Sequence, residues 1–532
     1  MTPAQPVRSQ EAALTSEGSG VAVTPHYLAS AAAAEIMRRG GNAVDAAIAA
    51  DAVLGVVAPE TCGIGGDLFA LVHTPEEAVP EALNASGKAG SGAVAGDVRA
   101  AGHVTIPIQS PWAVTVPGCV DGWVALADRY GKLPLATSLE PAIAHATEGF
   151  SVSWELSQSL GRLASVLAPQ ASGRHLFPNG DAPQPGVTIA RPDLAETLKR
   201  IAAEGRTAFY AGPVGAMISD ATGGVIRSDD LATNQADWIT PISIEVMDLK
   251  GWTMPPNSQG YLTLAAAWLF EQLEPPRDPA HPLFTHAAIE AYRAVAWERD
   301  MHVADPAHLT IDPARLLDPH RLAPKLDRIA MDSRAAWPAP RPASGGTAYL
   351  CVRDPAGIGV SFIQSNYHGI GSAIGAGNGG FFLHDRGSGF SLIPDHPNEL
   401  SPGKRPLHTL APTLWTRDGS LAMLLGTRGG DFQPQTLLQM ISYMLWADRS
   451  GEQAHHLPRW VTKEWRGGGP VVRHEPGIDP SAISHLQDLG HQMEQTEGAM
   501  GGWGPVSVIA TPDGAAIGAA DPRVATSAAA SV

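Results

Sequence analysis

The chain has 532 residues, a formal net charge of −17 and a hydrophobic fraction of 44%. So acidic a protein is a poor binder of the nucleic-acid backbone, and no cluster of lysine and arginine offsets the charge. The length and the apolar fraction are otherwise those of a globular protein with a large core.

The cysteines and the N-terminal stretch indicate the compartment. Cys62, Cys119 and Cys351 are odd in number and widely spaced, which argues against a disulfide framework and favours a reducing environment. Residues 1–20 lack the apolar core of a secretory signal and are predicted to be a disordered leader. The most apolar long stretch, 43–59, carries two aspartates and is too short to span a bilayer. We therefore expect a cytoplasmic protein with no membrane partner.

The first part of the chain is predicted to be mainly helical. Residues 21–41 predict a strand followed by a helix that ends at the Gly40–Gly41 pair, and Asn42 is a candidate cap for an apolar, buried helix over 43–57. A polar, proline-rich stretch at 308–346 is predicted to be a linker. Further helices are predicted at 118–131, 139–150, 191–205, 261–274 and 283–300. Residues 238–260 are predicted to contain strands.

Strands dominate after residue 346. Residues 347–365 predict a hairpin around the turn DPAG, and the Ala/Ser tail after Arg523 is expected to fray. A helix-rich part followed by a strand-rich part indicates an α+β protein with helix layers over an antiparallel sheet core. The remaining predicted elements are strands at 381–385, 421–426, 471–476 and 506–521, and a helix at 434–447.

The common metal and cofactor motifs are missing from the sequence. There is no HExxH, no CxxC pair, no P-loop and no G-x-S-x-G elbow. The glycine-rich stretches at 63–68 and 369–375 lack the G-x-G-x-x-G spacing of a dinucleotide site. We therefore expect neither a metal nor a cofactor.

Thr347 is the strongest candidate for chemistry. It begins an apolar strand directly after the loop PASGG. A threonine hydroxyl is a weak nucleophile that needs a base, and a free α-amine on the same residue can be that base. Freeing the amine requires cleavage between Gly346 and Thr347, and the glycine leaves its carbonyl open to attack. The plainer alternative is an ordinary strand threonine.

Several segments resemble the γ-glutamyltransferase family, in the same order along the chain. The longest begins GGNAVDAAIAADAVLGVVAPETCGIGGDL, and another contains GGTAYLCVRDPAG. The resemblance covers roughly residues 20–525. The matching segments are 40–73, 208–232, 255–260, 288–306, 345–357, 401–415 and 426–440.

The resemblance implies an N-terminal nucleophile hydrolase with a four-layer αββα sandwich. It implies that the precursor cleaves itself into a large chain, 21–346 after the leader, and a small chain, 347–532, which remain paired. A dimer of such processed pairs stays an open alternative.

The resemblance also assigns catalytic roles. Thr347 would attack first the Gly346 carbonyl and later a substrate amide. The Ser365 hydroxyl would support the nucleophile, and the backbone N–H groups of Gly429 and Gly430 would bind the oxyanion. The plainer alternatives are a strand serine and a simple glycine turn.

The sequence departs from the family's glutamyl-binding pattern. The arginine and the aspartate that bind the substrate's α-carboxylate and α-amine are absent, so a γ-glutamyl donor would lose charge-assisted hydrogen bonds and is expected to bind poorly. The residues at the corresponding places are Asn84, Tyr367, Gly389, His408 and Thr409.

Arg386 is an addition to the pocket. One arginine can bind one carboxylate with two parallel hydrogen bonds. With Asn84, His408 and Thr409, it would suit a small anionic acyl group, and this pattern resembles the oxamate amidohydrolase and acylase-like branch of the family. The alternatives are an ion pair of Arg386 with an aspartate such as Asp385, and a core role for His408.

The sequence therefore predicts an enzyme. It would be a self-processing amidohydrolase that cleaves a small-molecule amide with an anionic, oxamate-like acyl group through an acyl-threonine. Two alternatives stay open: a γ-glutamyltransferase or glutathione hydrolase, and a non-catalytic family member that acts as a binding protein.

Overall fold

The computed structural model describes residues 13–340, 345–466 and 469–532. Its strands are β1 Thr15–Gly18, β2 Val21–Thr24, β3 Asp67–His73, β4 Glu81–Ala85, β5 Phe150–Ser151, β6 Thr188–Ile189, β7 Asp237–Ile239, β8 Ile242–Val246, β9 Leu249–Thr253, β10 Gly346–Arg353, β11 Gly359–Tyr367, β12 Ile374–Gly375, β13 Phe382–Leu383, β14 Thr413–Arg417, β15 Ser420–Thr427, β16 Trp460–Arg466, β17 Gly469–His474, β18 Gln492–Gln495, β19 Val506–Ala510, β20 Ala516–Ala520 and β21 Ala528–Ser531.

The α-helices vary in length from one turn to four turns. They are α1 Tyr27–Arg38, α2 Ala43–Val57, α3 Ala95–Ala100, α4 Cys119–Tyr130, α5 Leu135–Glu148, α6 Trp154–Leu167, α7 Pro192–Glu204, α8 Arg206–Tyr210, α9 Pro213–Ala221, α10 Ser228–Ala232, α11 Tyr261–Gln272, α12 Pro282–Ala296, α13 Arg299–His302, α14 Pro319–Leu322, α15 Gln433–Ile441, α16 Gly451–His456 and α17 Pro480–Asp488. Within the described residues, every helix is too short or too polar to cross a bilayer.

Two seven-stranded antiparallel sheets form the centre of the molecule. The β10 sheet has the strand order β21-β2-β10-β11-β3-β4-β7, and the β15 sheet has the order β1-β20-β19-β15-β14-β9-β8. Both sheets combine strands from before and after residue 346, so the two predicted chains are interleaved in one core.

Apolar side chains fill the space between the two sheets, and they also cover the outer face of each sheet. Phe69 and Ile363 of the β10 sheet meet Leu424 and Ile509 of the β15 sheet in a single buried cluster. Helices α1, α2, α4, α5 and α7 share a core with the outer face of the β10 sheet. Helices α11, α12 and α15 do the same for the β15 sheet. The layers therefore run helix, sheet, sheet, helix, and the predicted α+β, four-layer αββα fold is confirmed.

The buried helix α2 supports the strand that carries Thr347. Asn42 caps it through a capping box with Asp45, and every residue of the helix except Gly55 is buried. It packs against α1, α5 and β10. A helix that is apolar on all sides needs such a position, and the sequence prediction for 43–57 is confirmed.

Three predictions for irregular segments are wrong in part. Residues 15–18 of the predicted leader form β1, which pairs with β20, while residues 1–12 lie outside the described residues. The tail forms β21, which pairs with β2. In the linker, residues 313–328 form helical turns that bury Leu316 and Leu322 in the β15-sheet core, while residues 341–344 lie outside the described residues. In each case distant backbone and side-chain partners, which local composition does not reveal, order the segment.

The tail strand is expected to contribute to stability. Deleting residues 525–532 leaves β2 as an unpaired edge and removes the acceptors that Tyr27 and Ser30 use, Thr526 O at 2.7 Å and Ala528 O at 2.8 Å. We expect the melting temperature to fall by about 3 °C or more, from the loss of several kcal/mol of pairing. Differential scanning calorimetry should show no such fall for the Ala530→Ser variant, which keeps the strand. An unchanged Tm after truncation would contradict the pairing.

Candidate active site

Thr347 lies beside the carbonyl that it is predicted to attack. It is fully buried in β10, and its Oγ1 donates a hydrogen bond of 2.6 Å to Gly346 O. Ser365 Oγ, on the neighbouring strand β11, donates a second hydrogen bond of 2.6 Å to the same oxygen. The β10–β11 register is irregular between Gly346 and Ala348, so Thr347 occupies a bulge. The bulge brings the two hydroxyls together on one carbonyl.

Arg386 lies next to this pair of hydroxyls. It is fully buried in a 3₁₀ turn, Arg386–Gly389, and its guanidinium donates 3.3 Å hydrogen bonds to Ser365 Oγ and Thr409 Oγ1. The guanidinium also stacks 3.8 Å above the Tyr367 ring. Burial lowers the pKa of Arg386, although an arginine remains charged at neutral pH.

The nearest carboxylate to Arg386 among the described residues is that of Asp67, at 3.9 Å from Nε. Arg386 Nε donates no hydrogen bond to any described residue. Asp385, the partner that the sequence offered as an alternative, instead receives hydrogen bonds from the His368 ring and backbone. The Arg386 guanidinium is therefore a buried cation with long contacts, which is the electrostatic setting of an anion site.

Asp67 connects His408 to the same region. The first residue of β3, it accepts a hydrogen bond of 3.0 Å from His408 Nε2 and one of 2.8 Å from the Gly87 backbone. His408 Nδ1 faces the Leu410 N–H, which fixes the proton on Nε2. Burial, with the nearby Arg386 charge, lowers the pKa of His408 to about 3. His408 is therefore a neutral donor, and no acid–base role follows from its position.

Asp67 is ionised despite its burial. Burial alone would raise its pKa, but the contacts with His384 and His408 outweigh that effect and hold the pKa well below its usual range. One carboxylate thus balances the buried Arg386 charge from 3.9 Å away. Sequence reasoning did not include Asp67, although an aspartate at the start of a buried strand whose next five residues are apolar was a signal for it.

Asn84 lies at the edge of the site rather than at its centre. It accepts hydrogen bonds from the Ser86 N–H and hydroxyl, and donates one of 2.9 Å to Asn257 Oδ1. The Asn257 carbonyl in turn accepts from the His408 N–H at 2.8 Å. Asn84 also lines an open cavity of about 590 Å³ with Arg405. None of its hydrogen bonds among the described residues joins it to Thr347 or Arg386.

The Gly429–Gly430 turn follows β15 and is tied to the same site. Their φ values of 125° and 58° lie in the left-handed region that favours glycine. Both residues are buried, and neither N–H donates a hydrogen bond to another residue that the structure describes. Gln259 Nε2 bridges the carbonyls of Gly430, at 2.9 Å, and Thr409, at 2.8 Å. Buried N–H groups without acceptors are rare and can hold an oxyanion.

Comparison with known proteins identifies the family. The model for gamma-glutamyltranspeptidase matches residues 29–531. The chain belongs to the γ-glutamyltranspeptidase family. Its curated relatives in that family are enzymes, and so is this chain.

Two relatives and one solved structure match this chain over almost its whole length. The glutathione hydrolase-like YwrD proenzyme of Bacillus subtilis is 36% identical over 94% of this chain and 96% of its own. The oxamate amidohydrolase proenzyme of Klebsiella pneumoniae is 35% identical over 95% and 97%. The crystal structure of cephalosporin acylase from Bacillus halodurans superposes with a TM-score of 0.90 at 31% identity, over 100% and 99%. The N-terminal nucleophile hydrolase fold implied by the sequence is thereby confirmed.

Glu60 is a buried residue that sequence reasoning missed, and its backbone lies beside Gly346. A Cβ added at Gly346 would lie 3.4 Å from the Glu60 backbone oxygen. The Glu60 side chain is 8% exposed, and its Oε2 has no hydrogen-bond partner among the described residues. Burial, followed by the charge of Glu155, raises the pKa of Glu60 to about 8. In this family member Glu60 therefore holds its proton at neutral pH.

Replacing Glu60 with Gln should change how stability depends on pH. Between pH 4.5 and 8 the unfolded chain ionises Glu60 while the folded protein keeps the proton, so rising pH favours unfolding of the wild type through this group. Gln has no such effect. The Tm difference, Glu60→Gln minus wild type, should therefore increase from pH 5 to pH 8, by about 1–3 °C. The exposed Glu204→Gln variant is the control, and a difference that is flat with pH would refute the raised pKa.

Proposed function

We propose that this chain is a self-processing amidohydrolase that cleaves the amide of a small anionic acyl group through an acyl-threonine intermediate. The contact that carries the proposal is the 2.6 Å hydrogen bond of Thr347 Oγ1 to Gly346 O, with Ser365 Oγ on the same oxygen. The names of both relatives, which call them proenzymes, support the processing step.

In the processing step, Thr347 Oγ attacks the Gly346 carbonyl carbon. The charge that develops on the Gly346 oxygen is stabilised by the Ser365 hydroxyl, which already donates to it. The C–N bond breaks, the Thr347 nitrogen takes the hydroxyl proton, and an ester joins Gly346 to Thr347 Oγ. Water then hydrolyses the ester, which releases a carboxylate on Gly346 and a free α-amine on Thr347.

In turnover, the same hydroxyl attacks a substrate amide. The Thr347 α-amine accepts the hydroxyl proton and passes it to the leaving nitrogen. The tetrahedral oxyanion receives hydrogen bonds from the Gly429 and Gly430 N–H groups, which have no acceptor among the described residues. Water hydrolyses the acyl ester, and the acid leaves.

Arg386 supports an anionic acyl group. Its guanidinium contacts Ser365 and Thr409, and no described carboxylate lies closer to it than the 3.9 Å of Asp67. A small carboxylate placed there, next to the carbon that Thr347 attacks, would replace two long neutral contacts with charge-assisted hydrogen bonds. Oxamate, which carries a carboxylate directly on its amide carbon, has this geometry. The name of the Klebsiella relative adds support.

The Thr347→Ala variant tests the nucleophile. Without the hydroxyl, the purified protein should remain a single 55.5 kDa chain and show no amidase activity, whereas the wild type should give chains of 346 and 186 residues. Thr347→Ser keeps a hydroxyl and should still split. Intact mass and N-terminal sequencing of the smaller chain read the result. An alanine variant that splits between 346 and 347 would exclude the mechanism.

Arg386 is tested by comparing an anionic substrate with a neutral one of similar size. Loss of a charge-assisted pair, about 1.5–3 kcal/mol, should lower kcat/KM of Arg386→Ala for oxamate by roughly 10- to 150-fold relative to oxamide. Because any damage to Ser365 affects both amides equally, only the ratio reports on the carboxylate. The exposed Arg473→Ala variant should leave the ratio unchanged. Equal losses on both substrates would remove Arg386 from the substrate site.

A γ-glutamyl donor is the competing substrate. The glutathione hydrolase-like name of the Bacillus relative favours measuring it in the same assay. Release from a γ-glutamyl anilide faster than ammonia from oxamate would replace the proposed acyl specificity and leave the acyl-threonine mechanism intact.

A further inference from the structure

The residue directly before the Gly429–Gly430 turn is held by several hydrogen bonds. Arg428 donates a 2.6 Å hydrogen bond from Nε to Gly504 O and one of 3.1 Å from Nη2 to Gly501 O. Its backbone carbonyl accepts the Thr427 hydroxyl at 2.9 Å. The side chain and the backbone of Arg428 are therefore both held, immediately next to two glycines that have wide conformational freedom.

The remaining contacts of Arg428 come from the other side of the cleavage point. Both outer guanidinium nitrogens bind Glu155, with Nη2–Oε1 at 2.7 Å and Nη1–Oε2 at 3.2 Å. Glu155 lies in the first turn of α6, whose N-cap Ser153 fixes the start of the helix. The two side chains are 12% and 28% exposed, so solvent screens the pair only in part. A two-point guanidinium–carboxylate pair fixes orientation as well as distance.

We propose that Arg428 and Glu155 are positioning residues that set the Gly429 and Gly430 N–H groups for the oxyanion. The donors belong to the small chain and their alignment depends on a carboxylate of the large chain. The inference rests on the proposed function, because it requires those N–H groups to act in turnover. It goes beyond that function by assigning a task to two residues that touch neither nucleophile nor acyl group.

The geometry explains why this position needs an anchor. Gly429 and Gly430 have positive φ angles and leave two buried N–H groups without acceptors, a conformation that a glycine pair alone does not maintain. Gln259 holds the far end of the turn, through a hydrogen bond to Gly430 O. Arg428 fixes it from the preceding side, so the two N–H groups lie between two anchors.

The experiment measures kcat and KM on oxamate, or on the best amide found, for processed wild type, Glu155→Gln, Arg428→Lys and Arg428→Ala. Misaligned oxyanion donors act on the transition state, so kcat should fall about 10- to 100-fold with KM changed less than about threefold. Lys cannot form the two-point pair and should rescue little. Guanidinium ion added to Arg428→Ala should restore part of kcat, because it can occupy the vacated position between Glu155 and the Gly501 and Gly504 carbonyls.

An exposed ion pair of the small chain provides the control for these variants. Arg473 and Glu494 form an exposed pair at 3.7 Å within the small chain, and Arg473→Ala should leave kcat unchanged. If Arg428→Ala does not fold, Glu155→Gln, which keeps the side-chain shape, carries the test. A lower Tm with unchanged kcat in Glu155→Gln would reduce the pair to a structural tie and overturn the proposal. A wild type inactive on every amide would instead count against the proposed function.

Discussion

The structure depends on two hydroxyls that share one carbonyl. Thr347 and Ser365 each donate to Gly346 O at 2.6 Å, and they can do so only because β10 carries a bulge where it pairs with β11. That pairing lies in the middle of a seven-stranded sheet, covered by the buried helix α2 on one face and by the β15 sheet on the other. The layers on both faces of this sheet therefore help to hold the Thr347 hydroxyl against the backbone.

The same region holds two buried charges, those of Arg386 and Asp67. A buried guanidinium, Arg386, is balanced by one ionised carboxylate, Asp67, which neutral His408 holds in place. Asp67 is satisfied by hydrogen bonds from His408 and the Gly87 backbone, whereas its 3.9 Å distance from Arg386 Nε is too long for a hydrogen bond to the cation. On the proposed function, this buried charge would bind an anionic acyl group without the separate amine and carboxylate sites that a glutamyl group would need.

Local signals in the sequence were sufficient for much of the fold, whereas the candidate site residues were predicted mainly from the family resemblance. The Asn42 cap and the DPAG turn predicted α2 and the β10–β11 hairpin, because capping and turn chemistry act within a few residues. The pairing of β21 with β2 and of β1 with β20 joins chain ends about 500 residues apart, and no local pattern carries it. Gln259 and Glu155 were missed for the same reason, since each acts on a residue far along the chain, whereas Asp67 had a local signal at the start of β3.

The intact chain also explains how one pocket serves two reactions. A side chain at Gly345 would meet the Tyr367 ring at 2.9 Å, so this segment packs on the ring whose neighbour is the Arg386 guanidinium, at 3.8 Å. On the proposed mechanism, Gly346 blocks the approach of a substrate to Thr347 Oγ until cleavage frees it, and its carbonyl oxygen accepts from Thr347 and Ser365, not from the Gly429 and Gly430 N–H groups. Withdrawal of Gly345 and Gly346 then uncovers the ring, the guanidinium and the hydroxyl together. The proposed self-cleavage thus uses the same nucleophile as turnover with a different oxyanion donor, and it would create both the base and the space that turnover requires.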